Sequence, residues 1–207
     1  MKNTLPVCYA VLAAVCYGIS TPLSKLLLVR LNPVFLAALL YLGAGLSMWA
    51  LRLLQANKRT AQEAVLTKPD MPYIGGMVLL DILAPVLLMC GLSLTGAGTV
   101  SLLNNFEIVI TTLIAWTLFK ESIGKQVWVA IGLITGASIL LSVQDFNNLS
   151  FSVGALLAIG ACVCWGFENN CTRMLSLKDS LEIVMIKGFG SGIIIMMGTT
   201  TTPTLFP

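Results

Sequence analysis

Glu107 is the residue of this chain best placed to do chemistry. It lies about midway between Gly98 and Lys120 in an otherwise uncharged stretch, and a helical rise of about 1.5 Å per residue puts it near the middle of any membrane that stretch crosses. An ionised carboxylate at that depth costs roughly 3 kcal/mol on insertion scales, so it must pair, face water or carry a proton. Ser101, Asn104, Glu107 and Thr111 follow at spacings of 3, 3 and 4, which places them on one helical face. A polar stripe around a central acid suits the lining of a substrate pathway. The competing reading is a Glu satisfied by hydrogen bonds between helices. On the pathway reading, Glu107 is expected to exchange a proton for a substrate amine.

Asp81 is the second acid in an apolar run. Pro85, four residues on, has no N–H, so the Asp81 carbonyl loses its helical partner. The sequence predicts a kink there, offering a side-chain and a backbone acceptor at one depth, as ligand-binding broken helices do; a kink that serves packing alone is the alternative. Tyr17-Gly18 and Trp165-Gly166 each follow a cysteine and precede a cation, Lys25 or Arg173, by eight residues. Tyr17 and Trp165 either floor a substrate cavity or simply pack. Glu168-Asn169 stands where Ser20-Thr21 stands in the first copy. Glu168 is expected either to neutralise Arg173 or Lys178 or to contribute to an inner gate. Lys25 and Arg173 are read as snorkelling anchors in preference to substrate ligands. Lys187 either pairs with Glu182 or reaches a carboxylate in the cavity. Gly132-x-x-x-Gly136 lets another helix approach closely.

These residues need membrane helices to hold them. Of 207 residues, 57% are hydrophobic and 10% charged, against about 25% charged in soluble domains. Residues 3–24, 31–51, 126–144, 146–167 and 188–207 carry no charge, and 71–106 carries only Asp81. A spanning helix needs roughly 20 apolar residues, so the chain reads as an all-α polytopic membrane protein. No histidine is present, which removes imidazole acid–base chemistry and the commonest metal ligand. The six cysteines all lie in apolar runs, and Cys162-x-Cys164 lacks the spacing of a zinc site; they read as small apolar residues. No metal or other cofactor is expected. Net charge is only +3, and no basic cluster with interleaved aromatics points to nucleic acid. The lipid bilayer is the expected partner.

Seven transmembrane helices are predicted, over 5–27, 33–54, 72–94, 97–119, 125–142, 152–172 and 182–199. Lys2 before an apolar run resembles a signal peptide, but the run is too long and recurs at 153–173, so it reads as a retained helix. With the N-terminus cytoplasmic, one side collects Lys2, Arg52, Lys58, Arg59, Lys68, Lys120, Lys125, Arg173 and Lys178, and the other only Lys25 and Arg30. That asymmetry favours N-terminus in. Tyr17 and Trp165 are 148 positions apart, as are Lys25 and Arg173. Five spans fill residues 1–142 before the sixth resembles the first, and an odd-numbered unit used twice must enter the membrane from opposite sides. Tyr41-Leu-Gly-Ala-Gly45 echoes Gly188-Phe-Gly-Ser-Gly192 in the seventh. The expected organisation is one complete five-helix repeat, 1–142, and a partial inverted repeat of two helices, 143–207.

The aromatic-Gly segments, Trp116-Thr-Leu-Phe-Lys-Glu121, Ser122-x-x-Lys-Gln126 and Gly132-x-x-x-Gly136 resemble the EamA-type members of the drug/metabolite transporter superfamily. The resemblance covers 5–142 well and 152–198 partly. It implies a carrier of ten spans in two five-span halves, moving amino acids or other small metabolites, often outward, by rocking one inverted half against the other. The expected location is the plasma (inner) membrane. Where the family often has a proline in mid fourth span, this chain has Asn105-Phe-Glu-Ile108. Residues to 207 hold no counterpart of spans eight to ten, so a truncated or decayed carrier is the rival expectation, inactive alone or completed by a second copy or by complementing helices. No nucleotide loop or nucleophile–base pair suggests an enzyme; a membrane hydrolase using Asp81 and Glu107 as an acid pair is the remaining enzymatic alternative.

Overall fold

A computed structural model describes residues 5–54, 64–142 and 153–201. The expectations for Lys2, Lys58 and Arg59 fall outside them. Eight α-helices account for nearly all the described chain: α1 (Leu5–Leu27), α2 (Pro33–Leu54), α3 (Met71–Leu94), α4 (Ala97–Leu103), α5 (Phe106–Thr117), α6 (Lys125–Ser142), α7 (Val153–Met174) and α8 (Ser180–Thr201). Among the described residues five stretches are long and apolar enough to cross a bilayer: Val7–Leu27, Pro33–Leu54, Lys68–Leu94, Ala97–Thr117 and Ser180–Thr199. The chain is an all-α polytopic membrane protein. α7 is as long as α8, at 22 residues, but Glu168, Asn169, Asn170 and Arg173 lower its apolarity.

Local chemistry explains the helix ends. Pro33 occupies the first turn of α2, where its missing N–H costs nothing, and Asn32 Oδ1 accepts the Val34 N–H at 2.9 Å. Asp179 Oδ1 accepts from the Leu181 and Glu182 N–H groups at 3.0 and 3.3 Å, capping α8. α5 ends where Lys120 turns left-handed, at φ 51, and the Glu121 N–H closes onto the Ala115 carbonyl at 3.1 Å.

One expectation changes. The fourth span is two helices, broken at Asn104-Asn105. The Asn105 side-chain amide donates to the carbonyls of Ser101 and Leu102 at 3.3 and 3.1 Å, the competition with backbone bonding that asparagine brings to a helix interior. Around the break the backbone bonds run to the third residue back: Asn105 to Leu102, Glu107 to Asn104 and Ile108 to Asn105. That tighter winding adds about 20° of turn per residue. α3, by contrast, is continuous through Pro85, so the proline frees the Asp81 carbonyl without ending the helix.

The tightest packing joins α3 to α7 and α2 to α8. Small residues allow it, because helices in lipid associate mainly by close contact. A Cβ on Gly91 would lie 2.7 Å from the Gly154 carbonyl oxygen, and one on Gly188 would lie 2.4 Å from Gly45 N. The α2–α8 seam repeats under exchange of its two helices. A Cβ on Gly45 would meet Phe189 N at 3.0 Å, and one on Gly192 would meet Leu42 N at 2.9 Å; the echo of 41–45 in 188–192 pairs these same positions. Leu36 and Ala37 of α2, Leu88, Met89 and Leu92 of α3, Val100 of α4 and Ala158 and Ala161 of α7 form the main core.

α1 is held differently. Its ammonium at Lys25 donates to the carbonyls of Leu92, Ser93 and Thr95, groups the end of α3 leaves without helical partners. Lys25 is therefore a cap on α3 rather than a snorkelling anchor. Arg173, its counterpart, pairs with Glu121, and nearby Lys178 pairs with Asp70 at 2.8 Å. Lys25 and Lys178 thus sit at opposite ends of α3, about 36 Å apart along its 24 residues. The buried positions Ala158, Ala161, Cys162 and Gly166 of α7 match Ala10, Ala13, Ala14 and Gly18 of α1, all exposed. Gly166 packs under Ile110, Ile114 and Thr111, whereas Gly18 has nothing within 4 Å. Gly166→Ala is therefore expected to cost about 1–3 kcal/mol and Gly18→Ala essentially nothing, read as detergent-titration midpoints of the purified chain.

Candidate functional site

The helix break builds a cavity of about 430 Å³ between α1 and the α4–α5 junction. Tyr17, Gly18 and Thr21 line one wall; Ser101, Asn104, Asn105, Glu107 and Ile108 line the other. Asn104 donates to the Tyr17 hydroxyl at 3.2 Å, tying the walls together. Glu107 Oε1 accepts from the Asn169 amide of α7 at 2.8 Å, and Asn169 also donates to Thr111 Oγ1 at 3.3 Å. Asn170 donates to the Thr111 carbonyl at 3.1 Å. Of the predicted stripe, Ser101, Asn104 and Glu107 share the cavity, while Thr111 faces α7. Both copies of the polar pair contribute: Thr21 to the cavity wall and Asn169 to the acid.

Asp81, Glu168 and Trp165 gather in a second cluster with Tyr41 and Lys187. The Tyr41 hydroxyl donates to Asp81 Oδ1 at 2.9 Å and accepts from Trp165 Nε1 at 3.4 Å. Lys187 is bonded to Glu168, which also accepts from Thr172; its ammonium lies 3.8 Å from Asp81 Oδ2. Asp81 and Glu168 are each 2% exposed. This bears on three pairs of alternatives that the sequence left open. Glu168 neutralises neither Arg173 nor Lys178, which have Glu121 and Asp70. Lys187 reaches two carboxylates in the bundle rather than Glu182, because the glycine contact of α8 with α2 sets the Lys187 backbone beside Tyr41. Trp165 packs against the main core instead of flooring the cavity.

Tyr41 enters the sequence reading only through the echo of 41–45 in 188–192, and Asn169 only as the partner of Glu168 in the repeated polar pair; spacing does not reveal that each bonds an acid. Gly132 and Gly136 have nothing within 4 Å of where their Cβ atoms would stand, so the described helices leave that motif unpacked.

Arg52 pairs with Asp179 at the end of the bundle where Asp70 meets Lys178. Burial works against the Asp179 carboxylate, but the Arg52 hydrogen bond and the N–H groups of Glu182 and Leu181 outweigh it and hold the acid below its usual range. A carboxyl lowered in the folded state contributes stability above its unfolded value of about 4, lost as pH falls through the folded value. Arg52→Ala is expected to start acid unfolding at a higher pH, read by circular dichroism in micelles.

The sequence pattern of the EamA-like transporter family matches residues 4–143. A protein of Methanothermobacter thermautotrophicus named as an uncharacterized transporter is 28% identical over 194 residues, an alignment covering 87% of this chain and 56% of that protein. The chain therefore spans little more than half the length of this relative.

Proposed function

The chain belongs to the EamA-like transporter family, and from that premise we propose that it is a secondary transporter exporting a small amine-bearing metabolite, such as an amino acid, across the inner membrane in exchange for protons. Its N-terminus is cytoplasmic in this reading, in keeping with the grouping of Arg52, Lys178 and Arg173 at one end. The carrying observation is the cavity at Glu107. A volume of about 430 Å³ suits a solute of amino-acid size and falls within the range of small-molecule sites. The acid at its wall supplies the one full charge that recognises an amine.

Glu107 also bonds Asn169 across to the second unit, so occupation of the cavity and the seating of α7 are linked. An incoming ammonium takes the carboxylate, and the proton leaves by the other side as the units rock. Efflux from cells overexpressing the chain, screened across metabolites and repeated in proteoliposomes, tests this. Glu107→Gln is expected to slow efflux at least about tenfold, the scale of a charged hydrogen bond. Undiminished, still pH-coupled efflux in Glu107→Gln would sink the reading.

The exposed small-residue face of α1 favours a second reading, in which the chain works together with further helices. Ala10, Ala13, Ala14 and Gly18 repeat the face that α7 buries against α3 and α5. Cysteine at position 14 reacting with lipid-phase reagents at the same rate in native membranes and in purified chain would argue against it.

A further inference from the structure

The second cluster carries a charge imbalance. Two carboxylates, Asp81 and Glu168, share one ammonium, Lys187. With all three ionised the group holds one net negative charge inside the helical bundle, where an uncompensated charge is among the most costly things a membrane protein can contain. The ammonium is committed to Glu168. Asp81 Oδ2 is buried with no hydrogen-bond partner, whereas Oδ1 takes the Tyr41 hydroxyl.

We propose that Asp81, Glu168 and Lys187 form a single-proton site, separate from the Tyr17–Glu107 cavity, with the proton on Asp81 Oδ2 while Lys187 is bonded to Glu168. A metal cation is the wrong occupant: among the described residues the shell of six or so oxygens a hard cation takes is not gathered there. A proton needs one oxygen and no room. The groups facing the site are Tyr41 from α2, Asp81 from α3, Glu168 and Cys171 from α7 and Lys187 from α8, with Glu107 of α5 reached through Asn169. Lys187, its side chain 19% exposed, gives a way out. On release the Asp81 O–H bond breaks, its electron pair stays on Oδ2, and the proton passes to water beside Lys187. The ammonium is then shared between two carboxylates, which draws α8 toward α3. Asp81 belongs to the first unit and Lys187 and Glu168 to the second, so proton release and movement between units are one event. That coupling role rests on the transporter reading; the protonation does not.

Infrared difference spectra of the full chain in lipid nanodiscs, taken between acid and alkaline pH, read the carbonyl stretch of protonated carboxyls directly. One such band is expected to vanish in Asp81→Asn, shift without vanishing in Asp81→Glu, and persist in Glu107→Gln. Lys187→Met is expected to add the band of Glu168, about doubling the cluster's intensity, and Lys187→Met/Glu168→Gln to remove that addition. A full set of bands surviving in Asp81→Asn overturns the proposal, as does bleaching of the Asp81 band by sodium at fixed pH. The Asp81 band present in a chain with no metabolite flux would leave the site standing and overturn the transport reading alone.

Discussion

Lys187→Met is expected to destabilise the folded chain by about 3–5 kcal/mol near neutral pH, the range for breaking a buried ion pair from one side. Lys187 is the ammonium that serves both Asp81 and Glu168, and neither acid exposes more than 2% of its surface. Methionine fills nearly the same volume, so the loss is electrostatic rather than a cavity. Two consequences separate it from a packing defect. The deficit shrinks as pH falls, because protonating the stranded acids removes the unpaired charge. It shrinks again when Asp81→Asn and Glu168→Gln are added, since neutral groups of the same shape need no cation. Detergent-titration midpoints of the single and triple variants across pH check both; a deficit independent of pH would mean that packing, not charge, is lost.

Gly188→Val is expected to cost about 3 kcal/mol or more, the upper range for inserting bulk into a closed seam. Its Cβ would stand 2.4 Å from Gly45 N, 2.5 Å from Gly45 Cα and 2.8 Å from the Tyr41 carbonyl. All three are backbone atoms of α2, so no side-chain rotation relieves the clash and the two helices must part. Parting them pulls Tyr41 from Asp81 and Lys187 from its acids, and the packing and electrostatic losses then add. Gly190→Ala is the control: its Cβ would touch only the methyls of Val78, at 3.4 Å, and a near-wild-type midpoint is expected. Equal losses in the two variants would show that the seam is not what the substitution disturbs.

The helices were legible because apolar length and a start such as Asn32-Pro33 are local features. Glu107, Ser101 and Asn104 were legible too, since an acid in a membrane-length run has few ways to be tolerated. The break in the fourth span was written in Asn104-Asn105, two side chains able to bond backbone in place of the helix, yet the hydrophobic pattern overrode that signal. The destination of Lys187 was beyond any one-dimensional reading. It depends on Gly188 meeting Gly45, a contact between helices far apart in the chain, and spacing within α8 is silent on what α8 touches. Lys25 misled for a similar reason: its partners are carbonyls, which have no letter of their own in a sequence.

The seams carry a further consequence, for biogenesis. α2 closes on α8 and α3 on α7, so the strongest helix pairs are not neighbours in the order of synthesis. A nascent chain delivered helix by helix cannot zip up as it emerges, since forming such distant contacts waits on the later partner. Asp81, and after it Glu168, enter the bilayer before their shared countercharge is made. Until α8 arrives these acids must be shielded by water, by a proton or by the insertion machinery, and the bundle becomes fit for hydrocarbon in a single late step.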